Sequence, residues 1–137
     1  LRASCRTPIS GGEHEYTLYG FRQLLEKKAV DVIQFDTNRV GGITQAHKIC
    51  ALAEAFQIPI IPHAGQVHNF HISMSTINAP IVEYFPFWPV EIGNELFWYI
   101  FDGEPQAKNG FIELDNTKPG LGIELSQKYI KDFEIEE

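Results

Sequence analysis

Residues 31–62, DVIQFDTNRVGGITQAHKICALAEAFQIPIIP, decide the fold class. The run Asp31-Val32-Ile33-Gln34-Phe35-Asp36 is short, β-branched and apolar, which is strand composition. Gly41-Gly42 interrupts it. Residues 44–56 are then rich in Ala and Leu at helical spacing. Ile58-Pro59-Ile60-Ile61-Pro62 is a second strand, apolar enough to be buried on both faces. Strand, helix and strand in that order make a βαβ unit, whose two strands must run parallel.

The same alternation extends in both directions. Thr7-Pro8-Ile9-Ser10 reads as an earlier strand that opens into a loop at Gly11-Gly12. Residues 17–28 place Leu18, Phe21, Leu24 and Leu25 on one helical stripe, with Thr17 as the expected N-cap and Lys27 and Lys28 suiting the negative end of the helix dipole. Downstream, a helix is predicted over 67–77 and a fourth strand over 80–85. Beyond Pro86 the pattern changes. Residues 86–101 are aromatic (Phe87, Trp88, Phe97, Trp98, Tyr99, Phe101) without a helical period, turns are predicted around 103–105, 108–110 and 118–122, and a short strand at 111–114. The charged end, 131–137, is expected to fray. The chain therefore divides into an α/β part, 1–85, and a covering segment, 86–137.

Composition narrows the classes. With 137 residues, 11 Lys+Arg against 18 Asp+Glu and a net charge of −7, the surface does not suit nucleic acid, which attracts basic patches. No apolar run is long enough for a membrane helix, and no signal-peptide pattern is visible in these residues. Cys5 and Cys50 cannot build a disulfide framework, so a reducing, cytoplasmic setting is the default. Leu1 in place of methionine suggests a processed or partial product.

Polar residues collect where the strands end. Glu13 and His14 follow the first strand, Asp36 closes the second, His63 the third, and Glu83 sits in the fourth. In parallel α/β folds that edge is where ligands bind. Each residue alone has a plain structural reading, but a structural account would have to be repeated four times. A carboxylate such as Glu13 can ligate a hard divalent cation. A His63–Asp36 pair gives a general base with a fixed tautomer. A buried Glu83 can hold a proton and hydrogen-bond to an oxyanion. This set suits proton abstraction beside a carboxylate.

Five segments carry a family resemblance: Gly12-Glu13-His14-Glu15, Gln34-Phe35-Asp36, Gly41-Gly42-Ile43-Thr44, Pro62-His63-Ala64-Gly65 and Ala79-Pro80-Ile81-Val82-Glu83-Tyr84. In this order they resemble the second half of an enolase-superfamily barrel of the mandelate racemase subgroup, with the acid-sugar dehydratases of the L-rhamnonate type most similar. Asn109-Gly110 and the run 118–125 resemble that subgroup's C-terminal signature. The resemblance implies strands five to eight of a TIM-like (β/α)7β barrel, followed by a segment that returns to a capping domain. It implies Glu13 as one carboxylate ligand of Mg2+, His63 and Asp36 as the proton-abstracting dyad, Glu83 as the electrophile beside the substrate carboxylate, and His14 as a substrate contact. Phe35 replaces a proline common in related motifs. Its side chain points away from Asp36's face, so it should alter packing rather than the dyad.

The activity so implied is removal of the proton α to a sugar-acid carboxylate and loss of water, giving a 2-keto-3-deoxy acid. A full barrel needs about 200–250 residues. The resemblance therefore places the remaining metal carboxylates, a Lys-x-Lys segment and the capping domain in an N-terminal half, without which this chain is expected to be inactive. Expected partners are the sugar acid, that N-terminal half and further copies in a homo-oligomer, with no nucleic acid and no membrane. The competing readings are a non-catalytic half-barrel or assembly module and another enolase-superfamily racemase or isomerase. Weaker signals are a His63–His68–His71 zinc cluster, a phosphate cradle at Gly41-Gly42 and an aromatic patch at Trp88, Trp98 and Tyr99.

Overall fold

The computed structural model describes residues 2–86 and 95–132. They form two compact units, Leu1–Glu83 and Tyr84–Glu137. Phe87, Trp88 and the charged end 133–137, singled out in the sequence, lie outside the described residues.

The first unit is built on parallel pairing. Strand β1 (Ser10–Gly11) pairs with β2 (Val32–Ile33) in the register Ser10↔Val32 and Gly11↔Ile33. Ile33 makes a parallel bridge to Ile60, and Ile61 N–H and His63 N–H donate to the carbonyls of Ile33 and Phe35 at 2.9 and 2.8 Å. Hydrogen bonds thus carry three parallel segments beyond their short regular cores. Helix α1 (Thr17–Glu26) returns from β1, and α3 (Ile43–Ala55) from β2. The helices pack on each other and close the core around Phe21, Leu25, Ile33, Phe35, Ile49, Ala53 and Ile60. Phe35 is fully buried and meets Phe21 edge-on, with ring centroids 6.3 Å apart. Cys50 also lies in this core, where burial pushes its thiol up to about 11, so it serves packing rather than chemistry.

Several boundaries differ from expectation. Tyr16, not Thr17, is the N-cap of α1, and Thr17 enters the helix with a left-handed φ of 59°. A short helix α2 (Thr37–Val40) precedes the glycines, because Asp36 accepts hydrogen bonds from Asn38 N–H and Arg39 N–H and caps it. Gly41 ends α2 in the left-handed region and Gly42 is the N-cap of α3. The Gly-Gly pair is thus the joint between two helices, and Thr44 lies inside α3. Helix α4 is shorter than predicted, Val67–Met74. The predicted fourth strand is not formed: residues 80–86 have no regular structure. The third segment makes its last link through Ile60 N–H to Asn78 C=O, and no described backbone continues the ladder from there to 80–86.

In the second unit, residues 95–100, expected to be irregular, form helix α5 (Glu95–Ile100). It leads into β3 (Phe101–Asp102), which pairs antiparallel with β4 (Glu124–Leu125), and helix α6 (Gln127–Asp132) follows. The predicted strand at 111–114 is only a Lys108↔Phe111 bridge. Trp98 packs edge-on against Tyr84 and Tyr99 against Tyr129, so these half-buried rings pack within their own unit. The sequence also groups residues 84–85 with the first part, whereas Tyr84 falls in the second unit. Among the described residues no helix is long and apolar enough to cross a membrane.

Candidate active site

The first loop is set by packing. Gly12 has φ 123°, and a Cβ there would meet the Phe21 ring at 2.7 Å, so only glycine lets the chain turn against that ring. Glu15 N–H closes the turn on Gly12 C=O at 2.9 Å. Glu13 and His14 ride on this turn. His14 Nε2 lies 2.9 Å from Glu13 Oε1, while Arg39 Nη1 lies 2.9 Å from His14 Nδ1 and also donates to Glu13 C=O. Arginine can only donate, so Nδ1 accepts and the Nε2–H of His14 points to Glu13.

Asp36 and His63 sit at the ends of adjacent parallel segments, which is why they meet. His63 Nδ1 is 3.3 Å from Asp36 Oδ2, and His63 Nε2 is 3.3 Å from Glu13 Oε2. Asp36 is 8% exposed and its other oxygen, Oδ1, caps α2. The imidazole is therefore held at one nitrogen by a buried carboxylate while the other faces Glu13. Glu83 closes the group from the next segment. Its Oε1 accepts from Gln34 Nε2 at 2.5 Å, and its Oε2 from the backbone N–H of Ala64 at 2.7 Å. Both oxygens of the residue expected to hold a proton thus act as acceptors.

The structure brings together all five residues singled out in the sequence. It adds three that were not: Gln34, Arg39 and Asn69. Asn69 is 1% exposed. Its Nδ2 donates to the carbonyls of His63 and Ala64, both at 2.7 Å, and its Oδ1 accepts from Thr37 Oγ1 at 2.6 Å. It ties the residue after Asp36 to the His63–Ala64 peptides, where Ala64 adopts a left-handed φ of 72°. Asn69→Ala leaves these buried partners unmatched, and a loss of about 3 kcal/mol is expected, read as a lowered unfolding midpoint.

His68 stands apart. Its Nε2 is buried without a hydrogen-bond partner, and burial holds its pKa below the usual imidazole value against the opposing charge of Asp36. Among the described residues no group of three or more His, Cys, Asp or Glu side chains is placed to hold a metal ion. The His63–His68–His71 zinc cluster is therefore not assembled. Glu13 offers the hard oxygen ligands that Mg2+ takes, but one carboxylate does not complete such a site.

Residues 1–129 match the enolase C-terminal domain-like family. The chain belongs to this family. A Caldivirga maquilingensis protein provisionally named L-rhamnonate dehydratase is 42% identical over 123 residues, 88% of this chain and 30% of the relative. The crystal structure of L-rhamnonate dehydratase from Gibberella zeae superposes with a TM-score of 0.79 at 31% identity, covering 99% of this chain and 37% of that one. L-Talarate dehydratase from Polaromonas sp. JS666, complexed with Mg and L-glucarate, gives 0.81 at 28% identity, covering 95% and 34%. This α/β enolase C-terminal domain thus spans about a third of the length of the relatives it matches.

Proposed function

We propose that the chain is the C-terminal barrel portion of a Mg2+-dependent acid-sugar dehydratase of the L-rhamnonate type. The observation that carries this reading is the line Asp36–His63–Glu13, with Glu83 held beside it. His63 Nε2 takes the proton α to the substrate carboxylate, and the C–H electron pair passes into that carboxylate as an enediolate. Asp36 accepts from Nδ1–H, which keeps a lone pair on Nε2 and stabilises the imidazolium that forms. Glu83 sits beside the substrate carboxylate, and His14 contacts the substrate. The enediolate electrons then expel the β-hydroxyl, which takes the proton held on His63 Nε2 and leaves as water, returning the imidazole to its neutral form; the enol left behind tautomerises to the 2-keto acid. Glu13 contributes one carboxylate to Mg2+. The other ligands, and the capping domain on which the C-terminal segment packs, come from an N-terminal portion, consistent with relatives about three times as long. By this reading the 137 residues alone turn over nothing.

The test is a panel of sugar acids, L-rhamnonate among them, given to the full-length protein with Mg2+. The expected product is a 2-keto-3-deoxy acid, with Glu13→Gln losing Mg2+-dependent turnover. Exchange of the α-proton without loss of water would make the protein a racemase or isomerase instead. A full-length protein that exchanges no sugar-acid α-proton refutes the reading, and a fully active Glu13→Gln removes Glu13 from the metal.

A further inference from the structure

The residue that aims Glu83 is a neutral amide, Gln34, just past the end of β2. Gln34 belongs to the same run as Asp36, and the two-residue period places both on the face opposite Phe35. Ser10 Oγ donates to Gln34 Oε1 at 3.3 Å, which fixes the amide so that its Nε2 faces Glu83 Oε1 at 2.5 Å. The second Glu83 oxygen takes the Ala64 N–H at 2.7 Å, from the peptide just after His63. A carboxylate gripped at both oxygens by donors on two different segments has one orientation. Neither donor alone sets it: a single hydrogen bond leaves the carboxylate free to swing about the bonded oxygen.

We infer that Gln34 is a positioning residue, acting through Glu83, for the reaction proposed above, on which this inference rests. Its amide replaces water on a part-buried carboxylate and fixes which way Glu83 faces before substrate arrives, the preorganisation that electrostatic catalysis requires. The Gln34 amide hydrogen-bonds to Ser10 and Glu83 and not to Asp36 or His63, so its effect should be carried by Glu83.

The experiment is a double-mutant cycle in the full-length protein. Gln34→Met keeps length and bulk but removes the amide, and Gln34→Glu keeps shape but sets a repelling carboxylate oxygen where the N–H donor was. Each is combined with Glu83→Gln, and α-proton exchange in D2O is followed by NMR over long incubations, so that slow variants still give rates. Either single substitution at Gln34 is expected to slow exchange about 10- to 100-fold, chiefly in kcat and with KM little moved, the signature of an interaction realised in the transition state. In the Glu83→Gln background the same substitutions should cost nothing further, because the residue they orient is already gone. A purely structural role would give equal costs in both backgrounds, and that result overturns the inference, as does wild-type exchange in both Gln34 variants. A wild-type protein that exchanges no sugar-acid proton is a different result, and it overturns the dehydratase reading itself.

Discussion

In the full-length protein, His63→Asn is expected to stop exchange of the substrate α-proton while substrate still binds. His63 Nε2 is the nitrogen turned away from Asp36 and toward Glu13 Oε2 at 3.3 Å, while Nδ1 is engaged by Asp36 at 3.3 Å. Asparagine is shorter, and its amide nitrogen has no basic lone pair. A loss at or beyond the upper end of the ~10²–10⁴ contributed by general bases is expected in kcat. The base acts on the proton in the transition state and adds little to ground-state affinity, so KM or the binding constant should move little. The His63 backbone is unaffected, because Asn69 holds its carbonyl and the N–H bonds to Phe35 C=O. The unfolding midpoint should therefore stay near wild type, which separates lost chemistry from lost structure. Exchange at the wild-type rate would remove His63 from the mechanism.

How much of this was legible in the sequence depends on the physical signal each part leaves. Helix α3 was predicted to within a residue or so of Ile43–Ala55, because thirteen residues of Ala-rich, 3.6-periodic sequence between a Gly pair and a strand are hard to misread. Helix α5 was missed for the opposite reason. Its sequence ELFWYI is apolar nearly all round and so has no amphipathic period to detect. Helix α2 leaves little trace, because four residues are too few for a period; its one legible signal is Asp36 before Thr-Asn-Arg, a capping residue that is also a dyad member. The fourth strand looked convincing by composition, yet strand structure needs a partner, and residues 80–86 pair with none among the described residues.

The site shows a similar division. Glu13, His14, Asp36, His63 and Glu83 stand out because they are charged or titratable side chains at expected strand ends, and the first four map in chain order onto three adjacent parallel segments. Gln34 and Asn69 do not stand out. Amides at such positions are common, and what distinguishes these two is geometry: one spans to Glu83 and the other ties Thr37 to the His63–Ala64 peptides. For Gln34 a signal did exist, since the strand period places it on Asp36's face. For Asn69 none did; a residue on α4 reaches back to two carbonyls only once the loop has folded.

Asp36→Asn should cost ~10²–10⁴ in turnover, by an argument that runs through hydrogen-bond polarity rather than charge alone. The carboxylate serves two clients with its two oxygens. Oδ1 accepts from Asn38 N–H at 2.8 Å and Arg39 N–H at 3.3 Å, and Oδ2 faces His63 Nδ1 at 3.3 Å, with the more distant Arg39 Nε at 3.8 Å. Asparagine has one acceptor oxygen and one donor nitrogen. Two backbone N–H groups wait at the start of α2, so the oxygen is held there and the NH2 turns toward His63. Facing a donor, Nδ1 must accept, and the imidazole proton moves to Nε2. The nitrogen that should take the substrate proton then already carries one. The helix cap survives in this arrangement, so the unfolding midpoint should barely change while α-proton exchange falls. If instead the oxygen turned to His63, the cap would be lost, at a cost of about 1 kcal/mol in stability, and exchange would be largely kept. Measuring the unfolding midpoint and the exchange rate on one variant distinguishes the two orientations, and a variant that exchanges at the wild-type rate with its midpoint intact would exclude Asp36 from the dyad.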